Sequence, residues 1–178
     1  MQSKTKNILR GLAATACLVL YVFCHTLYEK TFIVWWLPPV IAAIAALLTT
    51  PLTAKYWTKF TGSENRMLNI LCHIYFSGAL FLFVFLGGNL YAANPASAYE
   101  QTFTVSEKQC TEHASYRRSG HRKIRTGTYK VYHLRLKSSD GPEKRISVTS
   151  ALYNRVHKNG TLTFPLYMGG FGYPVFAK

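Results

Sequence analysis

Long apolar runs occupy the first half of the chain, and short alternating patterns occupy the second half. Residues 8–28, 31–52 and 67–93 each provide the roughly 20 mostly apolar residues that a helix needs to cross a bilayer. The first run carries one charge, Arg10 near its start, and the other two carry none. This pattern predicts a three-helix transmembrane region over residues 1–93.

The second apolar run has the weakest signal of the three. Pro38 and Pro39 follow each other near its start, and proline breaks or kinks a helix unless it lies in the first turn. The helix therefore either begins near Leu37 with proline in its first turn or is bent there. If it begins at Pro38 it is short, and a re-entrant hairpin becomes the alternative.

The basic start of the first run resembles that of a signal peptide. Lys4, Lys6 and Arg10 precede or open the apolar run, but no small-x-small cleavage site follows it. We therefore expect this segment to be retained as a membrane helix.

Cations in the short loops predict the orientation of the helices, because Lys and Arg are enriched on the cytoplasmic side. Between the first two runs lies a single cation, Lys30, whereas six flank the other ends: Lys4, Lys6, Arg10, Lys55, Lys59 and Arg66. Residues 94–106 contain neither Lys nor Arg. We expect a cytoplasmic N-terminus and an extracytoplasmic second half, most simply in a bacterial inner membrane.

Residues 94–100 are expected to be a linker, and residues 101–178 a small β-domain. Leu134 and Leu136 alternate with Arg135 and Lys137, the period of a half-buried strand. Asp140-Gly141 predicts a hairpin turn, Thr149 or Ser150 an N-cap of a short helix, and Gly169-Gly170 a further turn. Five short strands with one short helix favour a small all-β barrel or sandwich of SH3-like or OB-like type.

The second half of the chain is also strongly basic. Only 16% of the 178 residues are charged, against roughly 25% in typical soluble chains. The region after residue 94 nevertheless has 14 Lys+Arg against 5 Asp+Glu. Residues 115–130 contain no acid and include six cations together with His121: Arg117, Arg118, Arg122, Lys123, Arg125 and Lys130.

Such a basic segment attracts anionic partners. Outside a cell and beside a membrane, we expect anionic lipid head groups, an anionic envelope polymer or an acidic protein, and no nucleic acid. A solvated loop without a partner is the alternative. The six cations are the predicted binding residues.

Cysteine and histidine are the remaining candidates for chemistry. Cys24-His25 and Cys72-His73 are metal-friendly pairs within the apolar runs, but we expect the thiols to pack as small apolar groups and each His to lie near an interface. In the β-domain, Cys110 with His113 and His121 could form a metal site or a reactive thiol, although structural zinc normally takes four ligands. We expect Cys110 instead to be an inert thiol, with an intermolecular disulfide as the first alternative.

The sequence thus predicts a multi-pass, non-enzymatic membrane protein without a cofactor, whose exported basic domain binds an anionic ligand or partner. One alternative is an accessory subunit of a transport or envelope complex that contacts partners through its helices, as a homo-oligomer or in a larger assembly. The other is a thiol- or metal-dependent enzyme at Cys110 and His113.

Overall fold

The computed structural model of the chain describes residues 2–120, 122–138 and 141–176. Two residues singled out by the sequence, His121 and Asp140, lie outside this range. In chain order the elements are α1 (Gln2–Lys30), α2 (Leu37–Thr61), α3 (Arg66–Tyr91), β1 (Asn94–Ser119), β2 (Arg122–Lys137), β3 (Glu143–Val148), α4 (Ser150–Arg155), β4 (Thr161–Met168) and β5 (Pro174–Phe176).

The chain folds as two compact units. Met1–Ala98 and Leu166–Lys178 together form the first, called the helical unit, and Tyr99–Pro165 forms the second, called the sheet unit. The last segment of the chain therefore groups with the helices and not with the residues of the sheet unit that precede it. Residues 94–100, expected to be a linker, are the first part of β1.

The three apolar runs form the three long helices, each long and apolar enough to cross a membrane. The predicted second run starts six residues too early, because α2 begins at Leu37 with prolines in its first turn. Proline is tolerated there, since the first N–H groups of a helix have no carbonyl partner within it. The helix continues through Pro51 to Thr61, so it has the length of a full span and not that of a short hairpin arm.

The outward surface of the helical unit is apolar, which indicates a membrane protein. Large side chains on all three helices are more than half exposed, and in water they would form an extensive apolar surface of the kind that drives aggregation. Lipid tails are the solvent that suits such a surface. Representative members are Leu18, Val22, Leu48, Leu52, Leu71 and Leu80.

α3 packs against both other helices. Cys17, Tyr21 and Cys24 follow one face of α1, and the Tyr21 hydroxyl donates to the Tyr75 carbonyl of α3 at 2.9 Å. At the other end of the bundle from the α1–α2 loop, Arg10 Nε donates to the Phe60 carbonyl at 2.6 Å. The start of α1 therefore lies beside the end of α2, as expected for helices that alternate in direction.

The segment after Leu166 folds onto the end of α3. β4 and β5 form a hairpin whose loop runs from Gly169 to Tyr173. Asn89 in α3 is fully buried and holds this loop: its Nδ2 donates to the Tyr173 carbonyl, and its Oδ1 accepts from the Phe171 N–H, both at 3.0 Å. In addition, Thr31 in the α1–α2 loop forms a bridge with Val175. The predicted turn at Gly169-Gly170 is thus also a cap on the helices.

The strands form one open antiparallel sheet in the order β3-β2-β1-β4-β5. The prediction of five strands with one short helix is confirmed, but β1 and β2 have 26 and 16 residues, far longer than the short strands expected. An SH3-like or OB-like barrel is not confirmed, because the sheet is open.

The core of the sheet unit includes the positions that the alternation around Leu134 and Leu136 predicted. Phe103 and Val105 of β1 and Leu134 and Leu136 of β2 are fully buried. Thr149 caps α4 as expected, since its side chain accepts from the Leu152 N–H at 3.3 Å.

Candidate anion-binding ribbon

The β1–β2 hairpin extends beyond the rest of the sheet. β3 pairs with β2 only from Tyr132 to Lys137, whereas the β1–β2 pairing continues from Thr111 opposite Val131 to Ser119 opposite Arg122. Residues 111–119 and 122–131 are here called the ribbon. None of its described side chains is buried, and every described residue of its β2 strand up to Lys130 is exposed. The ribbon is therefore a two-stranded projection that contributes no side chain to the core.

All six predicted binding residues lie on the ribbon. Arg117 and Arg118 are in β1, and Arg122, Lys123, Arg125 and Lys130 are in β2. The strands meet at a tight turn with Gly120 in the left-handed region, at φ +59°, a conformation that glycine adopts without strain. The other turn residue, His121, lies outside the described residues.

Strand geometry divides the cations between two faces. Directly opposite residues share a face, and successive side chains alternate. Arg118 lies opposite Lys123, and Tyr116 lies opposite Arg125, so these three cations form one patch beside an aromatic ring. Lys130 lies on the same face but farther from the turn, opposite Glu112. Arg117 and Arg122 lie on the other face. The six cations of the sequence are thus one cluster of three, called the ribbon patch (Arg118, Lys123 and Arg125), a diagonal pair on the other face (Arg117 and Arg122), and Lys130.

The cations of the ribbon lack carboxylate partners. Among the residues that the structure describes, none of the six forms an ion pair, whereas Arg135 in the sheet contacts Glu107 at 3.2 Å and Glu143 at 3.9 Å. Like charges directly opposite each other on a sheet are destabilising. The Arg118–Lys123 pair is such an arrangement, and an anion placed above the patch would relieve the repulsion. Guanidinium groups suit phosphate and carboxylate because they can donate two parallel hydrogen bonds.

Strand geometry also separates Cys110 from His113. A spacing of three residues on a strand places the two side chains on opposite faces, so they cannot bind one metal ion together. The His113 ring instead stacks on Tyr129 across the ribbon, with ring centroids 5.4 Å apart. Cys110 is an exposed free thiol. In the described part of the chain, no three His, Cys, Asp or Glu side chains form a group that could hold a metal ion.

A second polar cluster, in the helical unit, is one that the sequence did not reveal. The His73 ring is buried between α2 and α3, with five polar groups around its two nitrogens. Trp57 Nε1–H donates to Nδ1 at 2.8 Å, and the Ala46 carbonyl lies 2.8 Å from Nε2. The remaining neighbours are the hydroxyls of Thr49, Thr53 and Ser77, at 3.0–3.2 Å.

These partners determine the tautomer of His73. An indole N–H can only donate, so Nδ1 must present its lone pair to Trp57, and a carbonyl can only accept, so Nε2 must carry the hydrogen that points to Ala46. His73 therefore acts as a bridge between the two helices. The expectation that it simply lies near an interface missed this contact. Thr49, Thr53 and Trp57 at four-residue spacing on one face of α2 are the signal that could have shown it.

Comparison of the chain with models of protein families, with curated protein sequences and with solved structures gives no match. Of the two polar clusters, the one around His73 is saturated with internal hydrogen bonds, whereas the one on the ribbon consists of exposed cations that form no ion pair with any described residue.

Proposed function

We propose that this membrane protein is non-enzymatic and binds an anionic ligand or partner at the membrane surface through the ribbon patch. The observation that carries the proposal is the group of exposed cations on a two-stranded projection, without acidic partners among the described residues. Several unpaired cations on one surface raise the local concentration of anions and provide donors for their oxygen atoms.

The proposed location is the outer side of a bacterial inner membrane, with the N-terminus in the cytoplasm. The cation distribution in the loops supports this orientation. The bridge from Thr31 to Val175 places the segment at the end of α3 beside the cation-poor α1–α2 loop, so both would lie on the outer side in this orientation. Anionic lipid head groups, an anionic envelope polymer and an acidic protein are the ligand classes that fit this position.

The test is a binding measurement on the full chain in nanodiscs made of phosphatidylcholine alone. Polyphosphate and vesicles containing phosphatidylglycerol serve as anionic probes, and phosphatidylcholine vesicles serve as the neutral probe. We expect binding to the anionic probes that weakens as salt rises, because salt screens the attraction. The triple variant Arg118→Gln/Lys123→Gln/Arg125→Gln should lose most of this binding.

A matched triple variant distinguishes the effect of the ribbon patch on binding from the effect of net charge. Arg145, Arg155 and Lys158 are exposed cations of the sheet unit outside the ribbon, and their replacement by Gln removes the same charge. We expect this variant to retain most of the binding. Equal losses in the two triple variants would contradict a role for the patch, and absence of salt-dependent binding in the unmodified chain would contradict the proposal as a whole.

A further inference from the structure

A groove in the helical unit has an apolar part and a charged part, which match the acyl chains and the head group of a phospholipid. It lies between α2 and α3, with a volume of about 650 Å³, within the roughly 300–1,000 Å³ of typical small-molecule sites. Its apolar part is lined by Leu47, Pro51, Ala54 and Ile70. Its charged part is lined by Lys55, Glu64 and Arg66, all of them exposed.

The change from apolar to charged follows the helix axis. Lys55 comes eight residues after Leu47 in α2, a rise of about 12 Å at 1.5 Å per residue. Glu64 and Arg66 lie where the α2–α3 loop leads into α3. Helix ends lie at the level of the lipid head groups, and the apolar part of the groove lies deeper, at the level of the acyl chains. Leu47 is half exposed, so the groove is open to the surrounding lipid.

The charges at the rim favour an anionic occupant. Among the described residues, neither Lys55 nor Arg66 forms an ion pair, and with Glu64 the rim has a net charge of one positive unit. Basic pockets between transmembrane helices bind anionic lipid head groups. We infer that this groove binds an anionic phospholipid, with its phosphate between Lys55 and Arg66 and one acyl chain along Leu47, Pro51 and Ile70. This inference does not depend on the function proposed for the ribbon.

Native mass spectrometry of the full chain, released from detergent after addition of phosphatidylglycerol or phosphatidylcholine, tests the inference. We expect the chain to retain more phosphatidylglycerol than phosphatidylcholine. The double variant Lys55→Gln/Arg66→Gln should weaken retention of phosphatidylglycerol, by about fivefold for each cation lost. The double variant Lys6→Gln/Lys59→Gln is the matched control, because these two cations line a separate, smaller cavity beside α1. It should retain phosphatidylglycerol as the unmodified chain does.

The apolar part of the groove is tested by filling it. Leu47→Trp places a large ring there and should lower retention of both lipids; Ile70→Phe serves the same purpose if the first variant does not fold, as judged by thermal unfolding. Equal retention of the two lipids by the unmodified chain would overturn the inference. So would equal losses in the two double variants, or unchanged retention when the groove is filled. A crosslink from residue 47 to a second copy would show that a helix of another copy occupies the groove and would overturn it as well.

Discussion

The His73 cluster and the ribbon patch are both polar, but the polar groups of the first are hydrogen-bonded inside the protein and those of the second face the solvent. Both ring nitrogens of His73 have hydrogen-bond partners from α2, whereas the cations of the ribbon form no ion pair with any described residue. A buried polar group without a partner is costly, while an exposed cation is solvated by water at little cost. Satisfied buried polar groups therefore indicate a role in holding the fold, whereas clustered exposed charges without partners remain available to a ligand, as we propose for the ribbon patch.

Asn89 belongs with His73 in this comparison. It is fully buried, and both ends of its amide bind the 169–173 loop. Its Nδ2 donates to the Tyr173 carbonyl, and its Oδ1 accepts from the N–H groups of Phe171 and Tyr173. If the distinction is correct, substitutions around His73 and Asn89 should reduce stability, and substitutions in the ribbon should leave stability intact and reduce binding.

The largest effect is expected from Gly169→Ala. A Cβ atom at this position would collide with the Asn89 amide and with the Tyr173 carbonyl. Overpacking of this kind typically costs 1–3 kcal/mol, and we expect about 3 kcal/mol because a backbone atom is among the obstacles. Unfolding of the detergent-solubilised chain measures the loss. Gly11→Ala is the control, since nothing lies within 4 Å of the added Cβ. If the two variants lost the same unfolding free energy, the close contact at Gly169 would be contradicted.

The next effect is expected from His73→Phe. The substitution leaves the Trp57 N–H and the Ala46 carbonyl without their ring partner, and one unsatisfied buried group costs about 1–3 kcal/mol. We expect a loss of about 2 kcal/mol in the same assay, against little change for His25→Phe, because His25 is exposed on α1.

An independent measurement addresses the tautomer itself. In ¹⁵N spectra of the labelled chain, His73 should show a hydrogen on Nε2 and a lone pair on Nδ1. The opposite tautomer would contradict the donation from Trp57 to Nδ1.

A smaller effect on stability is expected when residues 115–127, the part of the ribbon nearest its turn, are removed. Ala114 lies opposite Thr128, so residues 115–127 can be replaced by Asn-Gly, a two-residue turn that suits a hairpin. Because these residues contribute nothing to the core, the unfolding free energy should change by less than about 1 kcal/mol. Binding to polyphosphate should be lost. Loss of the folded sheet unit would show instead that the ribbon supports the fold.

The smallest effect on stability is expected from the patch substitutions. Arg118→Gln/Lys123→Gln/Arg125→Gln should alter stability by about 0.5 kcal/mol or less, and in the stabilising direction, since it removes the repulsion between opposite cations. Thermal unfolding at low salt is the appropriate measurement. A clear destabilisation would mean that these side chains have partners within the protein, and it would contradict the claim that the patch, unlike the His73 cluster, does not stabilise the fold.

Those elements that have one buried face were predictable from the sequence. The three apolar runs became α1–α3, and the alternation around Leu134 and Leu136 marked the core of the sheet unit. Thr149 capped α4 because a local side-chain bond is enough for that role. In each case the signal lies within a few neighbouring residues.

The ribbon and the cap on α3 were not predictable in the same way. In the ribbon both faces are exposed, so no alternation of apolar and polar residues reveals that 111–119 and 122–131 belong to long strands. The six cations were identified from composition, but their division between two faces requires the register. The contact of Asn89 with the 169–173 loop joins residues more than 80 positions apart, and no local pattern reports it.

The cap from Leu166 onward has a consequence for biosynthesis. The helical unit is assembled from two stretches of chain, and residues 99–165 are made between them. A ribosome delivers α1, α2 and α3 to the membrane well before their capping segment exists. During that interval the end of α3 around Gly88 and Asn89 stays uncovered, and a chain that stalls within residues 99–165 keeps it so. Unfinished copies therefore expose the Asn89 amide, which finished copies bury and hydrogen-bond.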